Sequence, residues 1–225
     1  MKRKLKAYTL TILVALGLVA GMYHFSRMAE SKQEQNCFET ADSPVSQRLR
    51  QVLDSITDEG MNRVEKIKAV HDWMVKNIEY DVTYKQHSAE ETLFNGIAVC
   101  TGYADLFYQF MHALKIPCIP LVGYVYKDLS VKHAWNAVLL EDGNWYYVDV
   151  CWDDPLRTTD PSGIVKTSDF PDGRNLSYKY FLVGSKTMNK ERKPDLLPEG
   201  NISKADLNWK KRITQKKEVK KYEEK

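Results

Sequence analysis

Asn95-Gly96-Ile97-Ala98-Val99-Cys100-Thr101-Gly102-Tyr103 runs from a turn into a helix and places a cysteine at the junction. Beyond it Tyr103, Phe107, Phe110, Met111 and Leu114 recur on one helical stripe, which Lys115 and Pro117 bring to an end. A thiol at such a start lies among the unpaired N–H groups and the positive dipole end of the first turn. Both favour the thiolate and lower the thiol pKa below its ordinary ~8.5. Cys100 is therefore a candidate nucleophile, and Gly102 is expected to keep the first turn open to an approaching substrate.

Upstream, residues 46–56 and 62–78 carry helical periodicity, the second with Val64, Ile67, Val70, Trp73, Met74 and Ile78 on one face. Residues 89–94 add a short helical turn stopped by Asn95-Gly96. Downstream, residues 118–126, 131–141 and 144–152 are rich in Val, Leu, Tyr and Trp and read as strands. Helices first and antiparallel strands afterwards predict an α+β fold.

A thiolate that accepts an acyl group needs a base, and the base needs an orienting partner. His133 and Asp149 are the candidates, and the hairpin between their strands tests them. A two-residue Asp142-Gly143 turn makes the numbers of opposed residues add to 285 and sends His133 and Asp149 to opposite faces. A three-residue loop, Glu141-Asp142-Gly143 with Gly143 left-handed, makes them add to 284. Asp149 then faces Trp135 and lies diagonal to His133 at a Cβ separation of about 6–8 Å, within reach of a side-chain hydrogen bond. The bulged loop is the expectation. In the same register Cys151 falls opposite His133, where it tunes the site or forms a reversible disulfide with Cys100, unless it merely packs as a small apolar group.

Each residue alone has a plainer reading. Cys100 is a small buried hydrophobe, His133 a satisfied polar group on a strand, and Asp149 a cap for the Trp152-Asp153-Asp154-Pro155 turn. Tyr103, Trp135 and Trp152 are candidate walls of a substrate cleft, although aromatics at such spacings are more often core. What outweighs the single readings is the order: a helix-start Cys, then a strand His, then a neighbouring Asp.

Three ordered blocks, 95–104, Lys132-His133-Ala134-Trp135-Asn136 and 147–155, resemble the bacterial branch of the transglutaminase-like superfamily, and Glu79-Tyr80-Asp81 fits the same pattern. The resemblance covers about residues 60–155. It implies a papain-like α+β core, with the Cys on a helix packed against an antiparallel sheet that carries His and Asp. It also implies Cys100 as nucleophile, His133 as general base and acid, and Asp149 as orienter of the imidazole. Members include protein cross-linkers, peptidases, amidases and inactive relatives that only bind. One departure stands out: the family usually has Thr two residues after the Asp, where this chain has Cys151.

The 225 residues carry 33 Lys+Arg against 30 Asp+Glu, a formal charge of +3. Four of the cations lie within residues 1–6 and eight within 209–225, beside three acids, which leaves 21 cations against 27 anions in residues 7–208. An acidic body with basic ends and no basic-aromatic stacking pattern argues against a nucleic-acid partner. Residues 7–26 are uncharged and long enough to cross a bilayer, and the preceding cations orient them with the N-terminus cytoplasmic. The expectation is an uncleaved signal anchor, with the rest of the chain extracytoplasmic. The organisation expected is a basic segment (1–6), an anchor (7–26), a stalk (27–45), a transglutaminase-like domain (46–208) and a basic tail (209–225). Residues 156–177 read as a long surface loop. Four cysteines are too sparse for a stapled scaffold.

Two functions remain at this point. One is a membrane-anchored thiol enzyme that transfers acyl groups from amide or isopeptide bonds of a protein or peptide, cell-wall peptides included. The other is a catalytically silent binding module with the same cleft. The chemistry needs no cofactor, and neither a calcium loop nor paired zinc ligands are present in the sequence.

Overall fold

The computed structural model describes residues 43–126, 128–154 and 176–213. The expected basic segment, the anchor 7–26, most of the stalk, nearly all of the 156–177 loop and the distal tail lie outside the described residues. Among the described residues no helix is long and apolar enough to cross a membrane. The chain divides into Met1–Gln47 and Arg48–Lys225, and the second unit holds the sheet and the helices packed on it.

The first helix is α1 (Pro44–Ile56). Helix α2 (Arg63–Asn77) starts in a capping box, in which Asn62 accepts from the Glu65 N–H and Glu65 accepts from the Asn62 N–H. Of the stripe expected from sequence, Val64, Ile67, Val70, Met74 and the following Ile78 are buried, and Trp73 is half-buried. A second capping box, Ser88 with Glu91, opens α3 (Ala89–Asn95), and Gly96 closes it in the left-handed conformation at φ 67°. A short parallel pair, β1 (Glu79–Tyr80) with β2 (Ile97–Ala98), then delivers the chain to α4 (Cys100–Ala113). Phe107 and Phe110 of α4 are fully buried, worth about 1.5–3 kcal/mol each.

The main sheet contains β3 (Cys118–Val125), β4 (Asp128–Leu139), β5 (Asn144–Val148), β6 (Phe181–Val183), β7 (Arg192–Pro194) and β8 (Asn201–Ile202). Its strand order is β6-β5-β4-β3-β7, with β8 pairing β5 in parallel and the other pairs antiparallel. Two four-residue helices interrupt it, α5 (Val150–Asp153) and α6 (Ser185–Met188). Leu121, Trp135, Ala137, Trp145, Tyr147, Tyr180, Val183 and Met188 form a cluster within it. The expected α+β architecture with an antiparallel sheet is what the chain adopts.

The β4–β5 hairpin takes the three-residue loop. Asn136 pairs with Val148 and Leu139 with Trp145, so opposed numbers add to 284. Leu140 donates to Asn144 O at 3.1 Å, and Gly143 sits at φ 74°, where a residue without Cβ is favoured. Two expectations for this region are corrected. The strand does not continue to residue 152: it ends at Val148, and α5 follows. Cys151 is therefore buried in a helical turn and does not face His133 across a ladder; His133 pairs with Gly123 of β3.

Candidate active site

Cys100 is the first residue of α4, whose N-cap, Val99, offers no side-chain hydrogen bond to the first turn. The thiol is half-buried. Two buried contacts hold α4 on the neighbouring elements: Asn136 Nδ2 donates to Ala104 O at 3.0 Å, and Tyr103 Oη lies 3.0 Å from Ile78 O. The first of these ties the cysteine helix to the histidine strand. Sequence reasoning places Asn136 within a motif but gives it no role.

His133 Nε2 lies 2.8 Å from Asp149 Oδ2, and both residues are buried. A carboxylate at Nε2 fixes that nitrogen as the donor and leaves Nδ1 for the thiol. Burial pushes the Cys100 thiol pKa up, but hydrogen bonding to His133, the imidazole charge and the Ala134 N–H outweigh it, so the pKa is lowered. Burial likewise works against the imidazolium. The Asp149 charge and hydrogen bond, with help from Cys100, reverse that and raise the His133 pKa. Both directions favour a thiolate–imidazolium pair. The Asp149 carboxyl is held below the usual carboxylate range, against its burial, by His133, by the Arg192 charge and by the Trp152 N–H.

Asp149 reaches His133 by leaving the ladder. It is the N-cap of α5, with φ −126° and ψ 86°, and its Oδ1 accepts from the Trp152 N–H at 3.0 Å. Asp149 thus caps α5 with one oxygen and contacts the imidazole with the other. The other face of the site is aromatic. The Trp135 ring stacks on His133 at 6.0 Å between centroids, and Trp152 packs on it at 5.4 Å.

Several expected site residues take other parts. Gly102 does not open the turn to substrate. It is buried, and a Cβ there would sit 2.6 Å from Thr92 Oγ1 and 2.9 Å from Ala98 Cβ, so the missing side chain serves helix packing. Tyr103 is a core residue, 1% exposed, whose hydroxyl donates to Asp154 Oδ2 at 2.7 Å, which excludes it from a cleft wall. Trp135, also 1% exposed, backs His133 from the core. Trp152 is half-buried and stays beside the imidazole. No disulfide joins Cys100 to Cys151. Asn95, the amide nearest the cysteine in sequence, gives its Nδ2 to Gln86 Oε1 at 2.9 Å.

The residue that sequence reasoning missed is Arg192. It is fully buried at the start of β7, with Nη2 2.8 Å from Asp149 Oδ2. The contact is an ion pair, and among the described residues Nη2 has no hydrogen-bond partner. Its only sequence signal is an arginine two residues before a proline.

An α+β core in which a helix-start cysteine meets a strand histidine backed by an aspartate is the core of a transglutaminase-like protein. Residues 50–150 match the model of the transglutaminase-like superfamily, and this core belongs to it. Among its relatives, the kyphoscoliosis peptidase of Mus musculus is 30% identical over 56% of this chain and 22% of that protein. The kyphoscoliosis peptidase of Homo sapiens is 29% identical over 49% of this chain and 19% of its own length. The chain thus spans about a fifth of the length of these curated relatives. The crystal structure of a TGase is similar with a TM-score of 0.41 and 16% identity, covering 62% of this chain and 39% of that one.

Proposed function

We propose that this chain is a thiol enzyme that transfers acyl groups from amide or isopeptide bonds of proteins or cell-wall peptides. In this reading residues 7–26 anchor it in a membrane and the catalytic domain lies outside the cytoplasm. The observation that carries the chemistry is the 2.8 Å contact of His133 Nε2 with Asp149 Oδ2, beside a Cys100 thiol whose pKa His133 lowers. The Cys100 thiolate attacks the amide carbonyl carbon, and the oxyanion forms beside the Cys100 N–H at the open start of α4. The His133 imidazolium gives its proton to the amine as the C–N bond breaks, leaving a thioester on Cys100. Water or a second amine then attacks the thioester, His133 takes the proton, and the thiolate departs. Asp149 keeps the imidazole oriented throughout.

The test is labelling with a thiol-reactive peptide amide in wild type and Cys100→Ala, with mass spectrometry of the product in the presence and absence of an added amine. The expected result is labelling that requires Cys100, a carboxylic acid product in water alone, and a new amide if the amine is accepted. Labelling that survives Cys100→Ala ends the nucleophile assignment. A Cys100 that reacts with the probe but never turns over an amide favours the silent binding module.

A further inference from the structure

We infer that Arg192 is a positioning residue of this site: its buried guanidinium shares the Asp149 carboxylate with His133 and so limits how firmly that carboxylate holds the proton on the imidazole. The inference rests on the thiol-enzyme reading above and adds to it a fixed cation behind the orienting acid.

The geometry carries it. Arg192 Nη2 and His133 Nε2 both lie 2.8 Å from the same oxygen, Asp149 Oδ2. The guanidinium is 0% exposed, and its Cζ lies 4.0 Å from the ring centroids of both Trp152 and Tyr180, so two aromatic faces fix it in place. Nη1 donates to Met188 Sδ at 3.5 Å and lies 3.9 Å from a second carboxylate oxygen, Glu191 Oε2. Among the described residues Arg192 Nε and Nη2 find no hydrogen-bond partner. A cation buried with so few acceptors is costly to the fold, and a hydrophobic residue of similar volume is often tolerated better at such a place. What the cation gains in return is close contact with Asp149 and a longer one with Glu191.

The other ionisable groups nearby are committed elsewhere. Asp153 of α5 binds His71 and the Tyr180 N–H. Asp154 accepts from Tyr103. Glu191 is paired with Lys179 and with the Tyr180 hydroxyl. Among the described residues, this leaves the Cys100 thiol from α4 and the Arg192 guanidinium from β7 around Asp149 and His133. With no opposing cation, Asp149 would make the imidazolium a reluctant proton donor to the leaving amine. Arg192 draws off part of that attraction, and its positive charge also favours the thiolate.

The proposal is tested by the pH dependence of Cys100 alkylation by iodoacetamide, read at Cys100 by mass spectrometry, in wild type, Arg192→Met, Arg192→Gln and Arg192→Lys. Alkylation requires no substrate. A wild-type Cys100 with an ordinary thiol profile therefore sinks the nucleophile reading, whereas the comparison among variants addresses Arg192. The expected result is that both inflections, thiolate formation and loss of the imidazolium proton, rise by about one pH unit in the two neutral variants. Arg192→Lys, which keeps the charge, holds both near the wild-type values. Folded neutral variants with unmoved inflections overturn the proposal, as does Arg192→Lys moving with them. Failure of both neutral variants to melt cooperatively, with Arg192→Lys folded, assigns the charge to folding and also overturns it.

Discussion

Asp149 spends its two oxygens on different tasks. Oδ1 starts a helical turn, and Oδ2 meets the imidazole and the guanidinium. Asp149→Asn keeps the shape but puts an amide where a proton acceptor is needed, which invites the wrong imidazole tautomer. We expect a fall in kcat of about 10²–10⁴-fold with little change in fold, measured by steady-state turnover beside circular dichroism. The pH dependence follows from two directions. The thiolate requires a pH above the lowered Cys100 pKa, and the imidazolium requires a pH below the raised His133 pKa. Activity should therefore form a plateau that begins on the acid side of an ordinary thiol and ends on the alkaline side of an ordinary imidazole. A single rise near the ordinary thiol pKa speaks against the coupled pair. At this level the sequence revealed Cys100, His133 and Asp149 because each sits at a position with a chemical reason. Arg192 was not legible, since its partner carboxylate lies far away in the chain and no local pattern connects them.

The elements show why some residues were misread. Periodicity marked α2, α4 and the β4–β5 register, down to the left-handed Gly143, because repeated side chains and turn chemistry specify them locally. It did not mark the end of β5, where Asp149 leaves the ladder to cap α5, since Val150-Cys151-Trp152 suits a strand as well as a helical turn. Strands β7 and β8, of three and two residues, are too short to carry any period. Gly102 was assigned to substrate access because a glycine beside a nucleophile invites that reading, but its neighbours are Thr92 and Ala98. Gly102→Ala should push α4 against α3 and β2 and cost about 1–3 kcal/mol in urea denaturation. A variant as stable as wild type with impaired turnover would return Gly102 to the substrate side.

Across the molecule, a second buried network ties the helices to the strands behind the site. His71 of α2 is fully buried, with Nδ1 3.1 Å from Asp72 and Nε2 3.2 Å from Asp153 of α5. Lys68 bonds Asp72 and, at 2.7 Å, the Tyr178 hydroxyl. Burial alone would lower the His71 pKa, yet its hydrogen bonds to Asp153 and Asp72 raise it. A group whose folded pKa is raised lends stability that is fully present below the unfolded value, about 6.5, and is lost as pH rises through the folded value. Thermal melts should therefore show stability declining on the alkaline side of pH ~6.5. His71→Gln should be less stable by about 3 kcal/mol near pH 6 and should lack that decline. An identical alkaline decline in the variant would place its origin elsewhere.

The dispersal of the site along the chain has a temporal consequence. The thiol sits on α4, the groups that acidify it sit on β4, and the acid behind them is held by β5 and β7. Until those strands have paired, Cys100 is an ordinary cysteine, mostly protonated at neutral pH and slow toward electrophiles. A chain still being synthesised therefore carries a dormant thiol, and completing the sheet arms it.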